Sequence, residues 1–362
     1  MKILVIHASA GAGHRKAAEA ICLGLKNNTS YEAVCVDSLD YGASLFKILY
    51  RGTYNFLISR LPFIWRIIFD ILDRPSLQKI VRKVRRIYNY LNVRRLHQYL
   101  KNEKFDCIIS THFMASEISA SLKRKGLIHS KLITVITDYD AHRIWLADGV
   151  DMYCVACEYT RDRLKQLGIE ENKIAVTGIP NDERFSASYD ISSLKDKLGL
   201  KKDIFTILVA TGSFGIGPIE QIVKALDGFQ TIVVCGHNKT LFRRLEDLKL
   251  PLVKVFGLVD NMHELMAASD VMVTKPGGLS ITEALVSQLP LVFFSAIPGQ
   301  EINNIKVLKH YGIGISDCSI QQIADHLNDF RSSKDAHLTA LKKTKALARP
   351  SAVKDIINLI KH

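Results

Sequence analysis

"VTKPGGLSITEAL", residues 273–285, carries an apolar run into a helical pattern through a lysine, a proline and two glycines. The run ending at Val273 reads as a buried strand. The residues after Gly278 read as a helix with Glu283 one turn inside. Two readings fit such a hand-over. One is a tight turn. The other is a helix start left bare so that an anion can reach it, because the first amides of a helix have no partner inside it and its dipole favours negative charge there. On the second reading a diphosphate meets Gly277, Gly278 and Leu279, Lys275 adds charge, and Glu283 accepts the hydroxyls of a ribose.

Outward from this stretch, short β-rich runs alternate with helical ones. Strands are expected at 2–7, 32–37, 106–110, 131–137, 152–156 and 173–177, then at 204–210, 230–235, 252–256, 270–274, 290–294 and 313–316. Apolar runs bounded by glycine and separated by helices are the pattern of buried parallel strands in βαβ units. The alternation restarts near residue 204, after the polar stretch "NDERFSASYDISSLKDKLG". The expected fold is α/β, with two Rossmann-like doubly wound domains, 1–183 and 184–348, whose strand-end loops face a cleft.

Each half opens with a strand and a glycine-rich turn. The first turn is Gly11-Ala12-Gly13-His14. It is not G-x-G-x-x-G, and no acid follows at the distance that binds a ribose in dinucleotide sites. A histidine at a helix N-terminus is favoured in its neutral form, the form a general base needs. The second turn, Gly212-Ser213-Phe214-Gly215-Ile216-Gly217, lacks the G-K-[ST] ending of an ATP-hydrolysing loop, yet its amides suit a phosphate. In "ITDYDAHRIWLADGVD", residues 136–151, Asp138, His142 and Trp145 are candidates to line the cleft from the first half. Asp138 and Asp140 also form a D-x-D, a metal–nucleotide motif of a different architecture. In "IPGQEINN", residues 297–304, four polar side chains (Gln300, Glu301, Asn303, Asn304) follow a buried strand. That cluster suits a ligand rich in hydroxyls, or a helix-capping turn.

Composition narrows the class. The chain of 362 residues is 48% apolar and 23% charged, a globular profile sized for two domains. No run is apolar and uncharged for the ~18 residues of a membrane span. The N-terminus reads as a first strand and not a signal peptide, so the expected place is the cytoplasm. Of the seven cysteines, Cys154 and Cys157 make a C-x-x-C, but the second pair of a zinc site is missing. Residues 44–104 hold fourteen basic and three acidic side chains, so eleven of the +13 net charges sit there. Within it "LFKILYRGTYNFLISRLPFIWRIIFDIL" mixes bulky apolar residues with arginine, the composition of an interfacial membrane element drawn to anionic lipid. The rival reading is a pair of amphipathic helices with solvated charge. Nucleic acid is not an expected partner, since no recognised module or interleaved aromatic set accompanies the basic run.

In order along the chain, "GAGH", "TDY-x-x-H-x-x-W", "TGIP" at 177–180, "TGSFGIGP", "KPGGLSITEAL", "PGQE" and "ARPSA" at 348–352 form a recognisable set. With it the chain resembles the monogalactosyldiacylglycerol synthase and processive diacylglycerol glucosyltransferase family (glycosyltransferase family 28). More distantly it is similar to the bacterial enzyme that adds N-acetylglucosamine to lipid I. The resemblance implies a GT-B fold with the acceptor in the first domain and a UDP-sugar in the second. It implies that the last helix, over 349–362, crosses back to the first domain. It implies an inverting transfer with no metal and no cofactor. By match, His14 is the catalytic histidine, and Gly13, His142 and Trp145 fall on the acceptor side; in the mechanism this suggests, Asp138 steers His14. Gly212, Ser213, Phe214, His237, Asn238, Val259, Met262, Lys275, Pro276, Gly277, Gly278, Ser280, Glu283, Gln300 and Glu301 fall on the donor side. Asn304 stands where alanine is usual and Ser280 where threonine is common, which leaves the sugar open. The implied reaction moves a hexose from a UDP-sugar to the 3-hydroxyl of 1,2-diacylglycerol at the inner membrane face. The alternative is transfer to a lipid-linked cell-wall precursor.

Overall fold

Runs of branched and aliphatic residues become the parallel strands of two sheets in the computed structural model. It describes every residue except Ala10, Phe214, Asp317 and His362, and it describes the backbone without the side chains at 44–46, 51, 54, 55, 58, 59 and 86–91. The chain divides into two compact units. Unit one is Met1–Asp182, Ile297–Asn303 and Ser351–His362, and unit two is Glu183–Ala296 and Asn304–Pro350.

Unit one runs β1 (Lys2–His7), α1 (Ala12–Asn28), β2 (Glu32–Asp37), α2 (Ser44–Arg60), α3 (Pro62–Asp73), α4 (Gln78–Asn92), α5 (Arg94–Glu103), β3 (Cys107–Ser110), α6 (Phe113–Arg124), β4 (Lys131–Val135), β5 (Met152–Val155), α7 (Glu158–Gln166) and β6 (Ile174–Val176). The sheet order is β2-β1-β3-β4-β5-β6, all parallel. Alternation along β1 feeds a core on each face. Leu4 and Ile6 join Leu96, Leu100, Met114, Ile118 and Trp145 on one side. Ile3 and Val5 join Ile21 and Leu25 of α1 with Val353 and Ile356 on the other. The strand order reverses between β1 and β3, so the loops after these strands frame the ligand crevice of such a sheet.

Unit two runs α8 (Ile191–Lys197), β7 (Thr206–Ala210), α9 (Ile219–Ala225), β8 (Gln230–Val234), α10 (Lys239–Asp247), β9 (Val253–Phe256), α11 (Met262–Ala267), β10 (Val271–Thr274), α12 (Gly278–Val286), β11 (Leu291–Phe293), α13 (Gln300–His310), α14 (Ile320–Ser332) and α15 (Lys334–Leu347). The first residues of α13 group with unit one, as does α16 (Ala352–Asn358). The order β11-β10-β7-β8-β9 reverses between β7 and β10. The loops after those two strands are the 212–217 turn and the 275–278 turn.

Three expectations change. The strand expected at 313–316 is one bridge, Val292 to Ile315. The flanking Gly312 and Gly314 have φ of +65° and +77°, which no ladder accommodates. The polar joint near 180–200 contains α8, started by Asp190 accepting from the Ser192 and Ser193 amides. The segment Ile297–Asn303, placed in the second half from sequence, groups with unit one. The apolar and basic stretch breaks at Leu61, where Pro62 takes the first helical position and so starts α3 without losing a needed donor.

Candidate active site

At the unit-one switch point, His14 lies in the first turn of α1, after the loop from β1. Its Nδ1 is 2.8 Å from the Thr111 carbonyl oxygen and 2.9 Å from the Thr137 hydroxyl, groups that follow β3 and β4. A carbonyl only accepts, so Nδ1 carries the proton and donates to Thr111. The Nε2 lone pair is thereby the basic one. Sequence reasoning gives a steering role to Asp138. Thr111 and Thr137, the neighbour of Asp138, hold Nδ1. The His14 ring meets His112 edge-on at 4.7 Å and Trp145 at 5.9 Å. Phe113 continues the wall, 4.2 Å from His112 and 6.0 Å from Trp145. The His14 pKa is lowered to about 4, chiefly by burial; the Thr111 carbonyl opposes the shift and nearby His7 adds to it. Desolvation is thus the largest cause of the neutral ring.

Trp145 is 2% exposed, so it shapes the floor behind His14. His142 has both ring nitrogens engaged inside the protein. Nδ1 accepts from the Ile144 amide at 3.0 Å and Nε2 donates to the Phe69 carbonyl at 3.0 Å. These two bonds give it a holding role for the 142–145 turn. Gly11 sits at φ −151°, which any residue adopts, and a Cβ there would meet nothing within 4 Å. Gly13 is in the first turn of α1, partly exposed.

In unit two the 212–217 turn is locked to the loop after β8. The His237 amide donates to the Ser213 carbonyl at 2.8 Å. Asn238 donates to the Gly215 carbonyl at 3.0 Å and accepts from the Leu241 amide at 3.0 Å. The Asn238 amide thus serves as a loop tie and a helix cap at the place where the donor side is expected. His237 is exposed, Ser213 is half-buried, and Gly212 is left-handed at φ +71°. Phe214, assigned to the donor from sequence, lies outside the described residues.

Lys275, Pro276, Gly277 and Gly278 lead from β10 into α12, whose first turn has no side-chain cap. Gly277 sits at φ −73° with nothing within 4 Å of a Cβ. A turn of this shape does not need glycine, so the glycine leaves backbone uncovered. Asn304, 1% exposed, donates to the Pro276 carbonyl at 3.0 Å and pins the turn from α13. Glu283 is 6% exposed within α12, Ser280 is half-buried, and Val259 and Met262 lie half-buried before and at the start of α11. Glu301 accepts from the Ile297 amide at 2.7 Å and closes its own loop, with Gln300 partly exposed beside it.

Two residues at this edge escaped sequence reasoning. Thr211 follows β7 and Thr274 ends β10, and both hydroxyls are buried without a hydrogen-bond partner. An unmet buried hydroxyl costs roughly 1–3 kcal/mol, which a ligand oxygen can relieve. Thr274→Val keeps the shape and removes the group. UDP affinity is expected to fall about five- to ten-fold, the worth of one hydrogen bond. The melting temperature without ligand should hold or rise. Calorimetric titration and a melt check both, and unchanged affinity refutes the assignment.

A monogalactosyldiacylglycerol (MGDG) synthase family profile matches residues 14–180, and a glycosyltransferase family 28 C-terminal domain profile matches 206–358. The processive diacylglycerol β-glucosyltransferase of Bacillus pumilus is 30% identical over 322 residues, covering 87% of this chain and 82% of that protein. The chain belongs to this family. Its relative from Staphylococcus saprophyticus is 28% identical over 384 residues, all of this chain and 93% of that one. Among solved structures, Acinetobacter baumannii MurG superposes with TM-score 0.62 at 14% identity, covering 99% of both chains. Anabaena HepE in complex with UDP gives 0.60 at 17% identity over the whole of both. At such identities the likeness is one of fold, the two parallel-sheet units of GT-B glycosyltransferases. Within this diacylglycerol glucosyltransferase family, the sequence motifs mark the loops. The packing adds Thr111, Thr137, His112 and Phe113 around His14.

Proposed function

We propose that the protein moves a hexose from a UDP-sugar to the 3-hydroxyl of 1,2-diacylglycerol, in one inverting step, while peripheral on the cytoplasmic face of the membrane. The observation that carries this reading is the His14 ring, held neutral by burial with Nε2 as its basic nitrogen beside an aromatic wall. Nε2 takes the acceptor hydroxyl proton as the oxygen bonds to the anomeric carbon and the bond from that carbon to the diphosphate breaks. The bare start of α12, Lys275 and the 212–217 turn offset the charge that grows on the departing UDP. No resident metal is assigned to the reaction, the leaving charge being met by these groups.

The surface supports a lipid partner. Among the described residues, ten of the seventeen exposed large apolar side chains lie between Ile48 and Val84, so the described apolar surface concentrates on α2–α4. Phe63 is 70% exposed, and Arg60, Arg66, Arg74, Lys79 and Lys83 stand exposed in the same stretch. Arg85 points inward instead, to Glu117, and Arg82 is engaged at the surface by Asp148, so not every basic residue of 44–104 is available to lipid. No described helix is long and apolar enough to cross a membrane. Each available basic residue contributes about 1 kcal/mol at an anionic surface.

Incubation with diacylglycerol in vesicles and each UDP-sugar in turn, read by mass, tests the reading. One hexosyl-diacylglycerol is expected, in amounts that rise with anionic lipid and fall with salt. Transfer to lipid I and not to diacylglycerol would favour the cell-wall alternative.

A further inference from the structure

The turn that places Trp145 beside His14 is held by the helices that carry the exposed apolar and basic faces. From α3, the Phe69 ring lies 4.1 Å from His142, and its carbonyl takes the His142 Nε2 proton. At the end of α3, Asp73 accepts from the Arg143 amide at 2.9 Å and from Arg163 at 3.2 Å. From α4, Arg85 donates through one nitrogen to the Ile144 carbonyl at 2.9 Å and through the other to Glu117 at 2.8 Å. Glu117, on α6, is 1% exposed, so this is a buried anchor and not a surface pair. Residues 142 to 144 are therefore gripped from both helices, Arg143 and Ile144 by charge-assisted bonds, which are short and directional. On its outer side α3 leaves Phe63, Ile64, Ile67 and Ile71 to solvent, and α4 leaves Ile80 and Val84.

We propose that Asp73 and Arg85 are positioning residues that couple docking of α3 and α4 on a lipid surface to the placement of Trp145 beside His14. The proposal rests on the lipid-acceptor reading above. When the apolar faces enter a headgroup layer, the attitude of α3 and α4 is fixed by the surface. Both helices are bonded to the turn, so its attitude is fixed with them. A shift of 1 Å in a substrate-positioning group can change rate by about 100-fold, so a small movement suffices. Arg85 is suited to the task because one planar fork reaches two acceptors at once, which an ammonium does not.

The test compares turnover on a long-chain diacylglycerol in anionic vesicles with turnover on a short-chain diacylglycerol dispersed as monomer. For the native protein the vesicle form is expected to be faster by about ten-fold or more. Arg85→Lys keeps a positive charge opposite Glu117 but loses the second bond, and Asp73→Asn removes the charge that Arg163 meets. In both variants the ratio should fall to within about two-fold of one, with vesicle sedimentation and UDP affinity held and the chain still folded by its melting transition. A merely structural role lowers both rates together and leaves the ratio, which overturns the proposal. Transfer to diacylglycerol with no vesicle preference in the native protein overturns it too. Transfer to neither form overturns the lipid-acceptor reading itself, and the coupling with it.

Discussion

Replacing His14 by alanine is expected to lower turnover by about 100-fold or more while UDP affinity holds, since a positioned general base is worth that much. The ring touches groups of unit one, and the expected UDP loops belong to unit two. Near-normal turnover with intact UDP binding would remove His14 from the role. The pH profile adds a sharper check. With a folded pKa near 4 and an ordinary value of 6.5, the ring stays able to accept a proton down to about pH 4. The acid limb of kcat/KM set by His14 should therefore lie near pH 4, not near 6.5. Stability shares the window. Between pH 6.5 and 4 the unfolded chain binds a proton that the folded chain does not, so stability falls as pH drops through it. His7, His112 and His142 are also lowered by burial and add to this slope. The alanine variant should thus melt with a shallower acid dependence than the native protein, even where its activity is too low to measure.

Strands were legible because each is an apolar run closed by a glycine or a turn, and a parallel sheet buries both faces of such a run. The region 313–316 imitates this, but its alternate glycines are left-handed and give a single bridge. The helices α8 and α15 bury few side chains, so no apolar run announced them. His14 was legible from the glycine-rich turn before it. Thr111 and Thr137 were not, since they meet it across 97 and 123 residues of chain. Asn238 and His142 show what residue type alone leaves open. A polar residue just after a buried strand reads as a ligand contact, and the same place also serves to cap a helix or hold a turn. Sequence supplies the residue type there, and packing decides which use it has.

Gly215→Ala is expected to lower turnover by roughly 100-fold, the cost of displacing a substrate-positioning loop by about an ångström. Gly215 has φ +57°, and a Cβ there would stand 2.2 Å from the Cys235 carbonyl oxygen and 2.9 Å from the Asn238 side chain. Backbone cannot swing aside as a side-chain tip can, so the 212–217 turn must part from the loop after β8. Doing so breaks the bond from Asn238 to the Gly215 carbonyl and strains the one from His237 to Ser213. The melting temperature should drop along with UDP affinity. Gly277→Ala is the informative contrast. Its φ of −73° and open surroundings let an alanine in without strain. Removing a glycine at a compatible site stabilises by about 0.4–1 kcal/mol through the unfolded chain. The variant should melt no lower than the native protein yet bind UDP more weakly, because the new methyl covers backbone that a diphosphate approaches. If Gly277→Ala bound UDP as tightly as the native chain, that glycine would be an ordinary turn residue and the anion site would lie elsewhere. Loss at Gly215 with stability, and loss at Gly277 without it, separates a glycine kept for the shape of the loop from one kept for the reach of the ligand.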